Sequence, residues 1–124
     1  VADGVNSTAF FTANITGPLN VTLNDVGRTI GNITFTNTAS SQDMTISGSN
    51  ALTLDRTGTN VPAVVVSQAN RTLTISALVA GTDGLAKGGP GNLFLSNVSN
   101  SYTGATSVNE GTLSISSIGN VGGG

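Results

Sequence analysis

The run Gly84-Leu85-Ala86-Lys87-Gly88-Gly89-Pro90-Gly91-Asn92-Leu93-Phe94-Leu95-Ser96 is followed by Asn100-Ser101-Tyr102-Thr103-Gly104 and by Val108-Asn109-Glu110-Gly111-Thr112-Leu113-Ser114-Ile115. This stretch decides the fold. Leu93-Phe94-Leu95 and Leu113-Ser114-Ile115 are alternating triplets 20 residues apart, and a glycine stands two residues before each, Gly91 and Gly111. Alternation of period two marks a strand with one buried face. The Gly88-Gly89-Pro90-Gly91 cluster reads as a sharp corner, because Gly tolerates positive φ and Pro fixes its own. It is not a phosphate-cradling loop, which would need a following helix and a Lys-Ser/Thr ending.

Working outward, the same triplets recur. Ile33-Thr34-Phe35, Leu52-Thr53-Leu54, Leu73-Thr74-Ile75, Leu93-Phe94-Leu95 and Leu113-Ser114-Ile115 start 19, 21, 20 and 20 residues apart. A second set, Val21-Thr22-Leu23, Met44-Thr45-Ile46, Val64-Val65-Val66, Leu85-Ala86-Lys87 and Thr106-Ser107-Val108, starts at steps of 23, 20, 21 and 21. A fixed period near 20 with two strands per period describes a coil that returns above itself. Each coil is too short for a crossover helix, so like strands pair in parallel. The reading is an all-β, single-stranded, right-handed parallel β-helix (β-solenoid) of about five to six coils with ~20–21 residues per coil. Residues 33, 52, 73, 93 and 113 are expected in one stacked row, and 44, 64, 85 and 106 in another. The expected core is Phe11, Val21, Leu23, Ile33, Phe35, Met44, Ile46, Leu52, Leu54, Val64, Val66, Leu73, Ile75, Leu85, Leu93, Leu95, Val108, Leu113 and Ile115.

The pattern of Gly84-Leu85, Lys87, Gly91, Leu93, Leu95, Asn100-Ser101-Tyr102-Thr103-Gly104, Val108 and Gly111-Thr112-Leu113 resembles the autotransporter-associated β-strand repeat, also called the passenger-associated transport repeat. The resemblance covers residues 84–117. It implies a β-solenoid in a secreted or surface-displayed bacterial protein, and no chemical reaction.

Composition narrows the function independently. Charged residues make up 8% of the chain, against the usual ~25%. The four cations Arg28, Arg56, Arg71 and Lys87 are scattered, so neither a nucleic-acid footprint nor a polybasic membrane patch is available. Absence of Cys and His removes thiol chemistry, His-based triads and zinc sites. The longest purely apolar run is Ala63-Val64-Val65-Val66, so no membrane insertion is expected.

Six carboxylates are present: Asp3, Asp25, Asp43, Asp55, Asp83 and Glu110. A carbohydrate-cleaving β-helix needs several converging on one cleft. Asp43 and Asp83 fall at similar phases, before Met44 and Leu85, but two coils apart. That separation is roughly 10 Å at ~4.8 Å per coil. We expect turn anchors and N–H acceptors, with no catalytic residue, no metal and no cofactor. Asp25 with Arg28, and Asp55 with Arg56, read as local ion pairs or turn anchors. Asn-x-Ser/Thr occurs at Asn6, Asn14, Asn20, Asn32, Asn70 and Asn97, a frequency that an Asn-, Ser- and Thr-rich chain yields by chance. Near corners, Asn is expected to ladder between coils.

One domain is expected over 1–124, with 1–20 an N-terminal strand or linker that contacts a neighbouring subunit and 118–124 a Gly-rich tail. The leading functional expectation is a structural extracellular subunit assembling head to tail into a filament, stalk or surface coat. Six coils would advance its axis by roughly 29 Å. Val1, Val5, Phe10, Phe11, Leu113, Ile115 and Ile118 are the subunit-interface candidates. The alternative is a spacer or adhesive passenger segment of a larger autotransporter-like adhesin, with a surface polysaccharide or host surface as partner. A carbohydrate-active enzyme is the third and least favoured reading.

Overall fold

The structure, a computed structural model, describes residues 3–12, 15–36 and 42–116. Among them are twelve strands and no helix. They are β1 (Gly4–Phe11), β2 (Leu19–Thr22), β3 (Arg28–Phe35), β4 (Met44–Ser47), β5 (Leu52–Leu54), β6 (Ala63–Val66), β7 (Thr72–Ile75), β8 (Val79–Ala80), β9 (Leu85–Gly88), β10 (Asn92–Leu95), β11 (Thr106–Val108) and β12 (Thr112–Ile115). Every pairing is parallel. The chain is therefore a parallel β-solenoid, as its alternating triplets predict.

Three ladders build it. One sheet stacks β2, β4, β7, β10 and β12. The other holds two ladders joined through β3, whose first half pairs with β5 and whose second half pairs with β6. The first continues from β5 to β8, and the second from β6 through β9 to β11, with β1 covering β3. The two five-strand stacks give about four full turns between first and last layers. That is fewer than the five to six coils expected.

The third ladder also changes the register. Leu73, Leu93 and Leu113 share a column as expected, and Leu85 pairs with Thr106. Met44, however, stacks on Leu73 rather than on Val64, and Val64 pairs with Ile33 and Lys87. Leu52 belongs with Arg28 and Val79. Two strands per period hide this ladder, because Arg28 and Ala80 spoil the apolar-polar-apolar pattern in two of its members.

Side chains on alternate positions fill the interior. Leu73, Ile75, Val79, Leu85 and Leu95 are all 0% exposed. Burying each large apolar side chain contributes roughly 1.5–3 kcal/mol. Ordering its backbone costs roughly 1–2 kcal/mol per residue, so coils hold only by stacking. The core also takes in Ile30, Ala77, Val79 and Tyr102, which the two-row reading omits. Val108, expected inside, is 50% exposed on the last layer, while Phe11, Val21, Leu113 and Ile115 are partly buried.

Gly31 lies inside β3, where the strand passes from one ladder to the next. A Cβ there would lie 2.6 Å from the Asn6 Cα. Asn6 itself holds φ 66° and donates its backbone N–H to Asp55 O at 3.2 Å. Its side chain meets Thr57, with the Thr57 N–H donating to Oδ1 at 3.0 Å.

Candidate functional site

Lys87 points inward from β9 and is 0% exposed. Leu85 and Lys87 share the inward parity of that strand, so the position is apolar by pattern and cationic by identity. Its ammonium donates to Gly88 O at 2.6 Å, to Gly89 O at 2.7 Å and to Glu110 O on the next layer at 3.2 Å. Burial lowers its pKa from the usual 10.5, with the Glu110 charge opposing. The group fastens two successive corners together. It faces backbone carbonyls, so it is a tether.

The carboxylates act as N–H acceptors and ion-pair partners. Asp3 accepts from the Thr29 N–H at 3.0 Å and pairs with Arg28 at 2.9 Å, which lowers its pKa below 3.8. Asp43 accepts from Thr72 N–H and lies 3.6 Å from Arg71. Asp83 accepts from the Arg56 N–H at 2.8 Å. Arg28 therefore pairs with Asp3 across layers and not with the nearby Asp25, and Arg56 meets Asp83 through its backbone instead of Asp55. Asp43 and Asp83 do not share a phase either: Met44 lies in the β2–β12 sheet and Leu85 in the other. Among the described residues no three acidic, His or Cys side chains gather into a metal-holding group. No helix among them is long and apolar enough to cross a membrane.

Asn side chains bridge the layers, bonding to backbone groups and to Ser or Thr hydroxyls rather than to each other. Asn32 Oδ1 accepts from Ala63 N–H at 3.0 Å, Asn50 Nδ2 donates to Leu23 O at 2.9 Å, and Asn97 Nδ2 donates to Ser76 O at 2.9 Å. Asn100 Oδ1 receives the Val79 N–H at 2.9 Å, standing where a backbone carbonyl would continue the ladder. Asn20 and Asn70 are exposed, while Asn14 lies outside the described residues.

The outer face of the β2–β12 sheet is a column of Asn20, Thr45, Thr74, Phe94 and Ser114. Phe94 points outward there, while Tyr102 is buried with its hydroxyl 3.1 Å from Thr106 Oγ1. The column carries no formal charge.

The interface candidates separate to the two ends of the stack. Val5 is 44% and Phe10 68% exposed on the first layer, with Phe11 half-buried beside them. Leu113 and Ile115 are half-buried on the last layer. Val1 and Ile118 lie outside the described residues. At the first layer a cavity of about 530 Å³ opens between the sheets, lined among others by Phe11, Val21, Leu23, Ile30 and Ile33.

Residues 85–115 match the family model of the passenger-associated transport repeat. They span β9 to β12, including the Lys87 tether. The chain thus carries such a repeat within a β-solenoid. It is also 49% identical over 78 residues, 60% of its length, to the BmaC autotransporter adhesin of Brucella suis biovar 1. The aligned stretch is 2% of that relative. No solved structure matches the chain.

Proposed function

We propose that this chain is part of the exported passenger of a larger bacterial surface protein, serving there as a spacer and adhesive surface. The observation that carries the reading is the 49% identity to an autotransporter adhesin. The matched transport repeat supports it, and so does the architecture. A parallel solenoid lengthens by ~4.8 Å per added layer and projects a surface away from its anchor. The neutral column of Asn20, Thr45, Thr74, Phe94 and Ser114 is the contact face, suited to a polysaccharide or a glycan-bearing host surface. No reaction is assigned.

Beads coated with the purified chain test the adhesive role. They are expected to hold host cells or capsular polysaccharide, and Phe94→Ser is expected to reduce retention without changing the circular dichroism. Retention no better than that of heat-denatured chain would contradict adhesion. Release of reducing sugar ends would contradict the assignment of no reaction. Protease shaving of intact bacteria tests export: the segment should be cut without lysis.

A further inference from the structure

The six Asn-x-Ser/Thr tripeptides carry the residues that an N-linked sugar requires. Composition supplies them; bonding and burial decide which amide is free in the folded chain. Asn32 is half-buried and uses both ends of its amide, accepting from Ala63 N–H and donating to Thr8 Oγ1 at 3.3 Å. Asn97 is committed in the same way, donating to Ser76 O and accepting from the Ser99 N–H at 2.8 Å. Asn6 is exposed, yet its Nδ2 donates to Thr57 Oγ1 at 3.0 Å and its Oδ1 accepts the Thr57 N–H. Asn20 accepts from Ser47 Oγ at 2.8 Å, and the whole tripeptide Asn20-Val21-Thr22 is held in register on β4. Asn14 lies outside the described residues.

Asn70 differs from these. It lies in the corner between β6 and β7, outside the ladders. Arg71 N–H donates to Gln68 O at 3.0 Å, closing a β-turn with Ala69 and Asn70 at its centre. Both central residues are exposed, and no hydrogen bond among the described residues engages the Asn70 amide. By the Leu73–Leu93 register, the next layer turns the same corner through Gly89-Pro90-Gly91 and offers only Pro90 at the matching position. Thr72, the third residue of the tripeptide, opens β7 with the parity opposite to buried Leu73.

We propose that Asn70 is the site at which the folded chain accepts an N-linked sugar from a nucleotide-activated donor. In that step the amide Nδ2 bonds to the anomeric carbon of the sugar. The bond from that carbon to the donor's diphosphate breaks, the nucleoside diphosphate leaves with the electron pair, and the amide gives up one proton to a base of the transferase. A sugar at Asn70 projects from the turn into solvent. It leaves the layer-bridging amides of Asn6, Asn32 and Asn97 in place. The proposal is independent of what the outer face of the β2–β12 sheet contacts.

The test offers the folded chain to a soluble N-glycosyltransferase that reads Asn-x-Ser/Thr, with UDP-glucose as donor, and maps the product by peptide mass spectrometry. A hexose is expected on Asn70 and on none of Asn6, Asn20, Asn32 and Asn97. Thr72→Val removes the hydroxyl of the tripeptide and is expected to abolish the modification while keeping the parent's circular dichroism. Leu73→Asp, which places an unpaired charge in the core, is expected to open the fold and to take hexose at further tripeptides. An unmodified Asn70 in the folded chain overturns the proposal, and so does a hexose on Asn6, Asn20, Asn32 or Asn97 there. The same site pattern in the parent and in Leu73→Asp also overturns it, as does persistence of the hexose in Thr72→Val. From bacteria that make the protein, the shaved Asn70 peptide is expected to carry a sugar; its recovery wholly unmodified overturns the assignment.

Discussion

Between Leu73 and Leu113 one column advances in two even steps of 20 residues, whereas from Leu19 to Met44 it takes 25 and from Met44 to Leu73 it takes 29. Both halves keep the same inward columns and the same parallel pairing. The surplus goes into corners: residues 55–62 separate β5 from β6, where 81–84 suffice between β8 and β9. Inward side chains and ladder hydrogen bonds hold the stack, and corner length varies around them. The even half overlaps residues 85–115, the stretch that matches the transport repeat. Short corners there bring backbone against backbone, and this restricts which residues the corners accept.

The largest effect should come from Leu73, which lies in the column shared by both halves. Leu73→Asp places an unpaired charge in the core, and loss of the cooperative thermal transition is expected. Thr74→Asp, on the outer face, is expected to melt close to the parent. Similar melts for the two would break the inside-outside assignment.

Gly111 and Gly58 compare a tight corner with a loose one at matched backbone geometry, φ 72° and 71°. Each Ala substitution meets the left-handed penalty of roughly 1–2 kcal/mol. Gly111→Ala also drives its Cβ to 2.3 Å from Gly91 O, whereas nothing lies within 4 Å at Gly58. Chemical denaturation should show the Gly111 variant losing distinctly more stability than the Gly58 variant. Equal losses would mean that corner length does not set corner tolerance.

Lys87→Met keeps the volume and removes the tether, leaving three carbonyl oxygens without that donor. Each buried group left unsatisfied costs about 1–3 kcal/mol, so a lower denaturation midpoint is expected. Burial lowers the folded-state pKa of Lys87. Between that value and the ordinary 10.5, the unfolded chain therefore holds more protons. Stability from this group rises with pH across that interval, and Lys87→Met should lack the rise. The smallest effect belongs to exposed Asp3, whose pKa is lowered by the Arg28 and Thr29 hydrogen bonds. Its contribution is present above the usual 3.8 and disappears as pH falls through the lowered value. Asp3→Asn should flatten that part of an acid titration.

The parallel solenoid and the columns of the even half are legible in the sequence, because alternation fixes the buried face and a constant step fixes the partner. The amino-terminal register is not. Leu52-Thr53-Leu54 has the right pattern and nearly the right step to join Leu73, so counting cannot separate its ladder from the neighbouring one. Lys87 is misleading in another way: its parity is inward, yet only the three-dimensional corner supplies the carbonyls that satisfy it. The Asn bridges are partly legible, since their places near corners show but their backbone partners on the next layer do not.

Interstrand backbone NOEs would test the three-ladder arrangement most directly. Contacts are expected to link Met44–Ile46 to Leu73–Ile75 and Leu52–Thr53 to Val79–Ala80. Contacts linking Leu52–Leu54 to Leu73–Ile75 instead would contradict it and restore a two-strand coil of constant length.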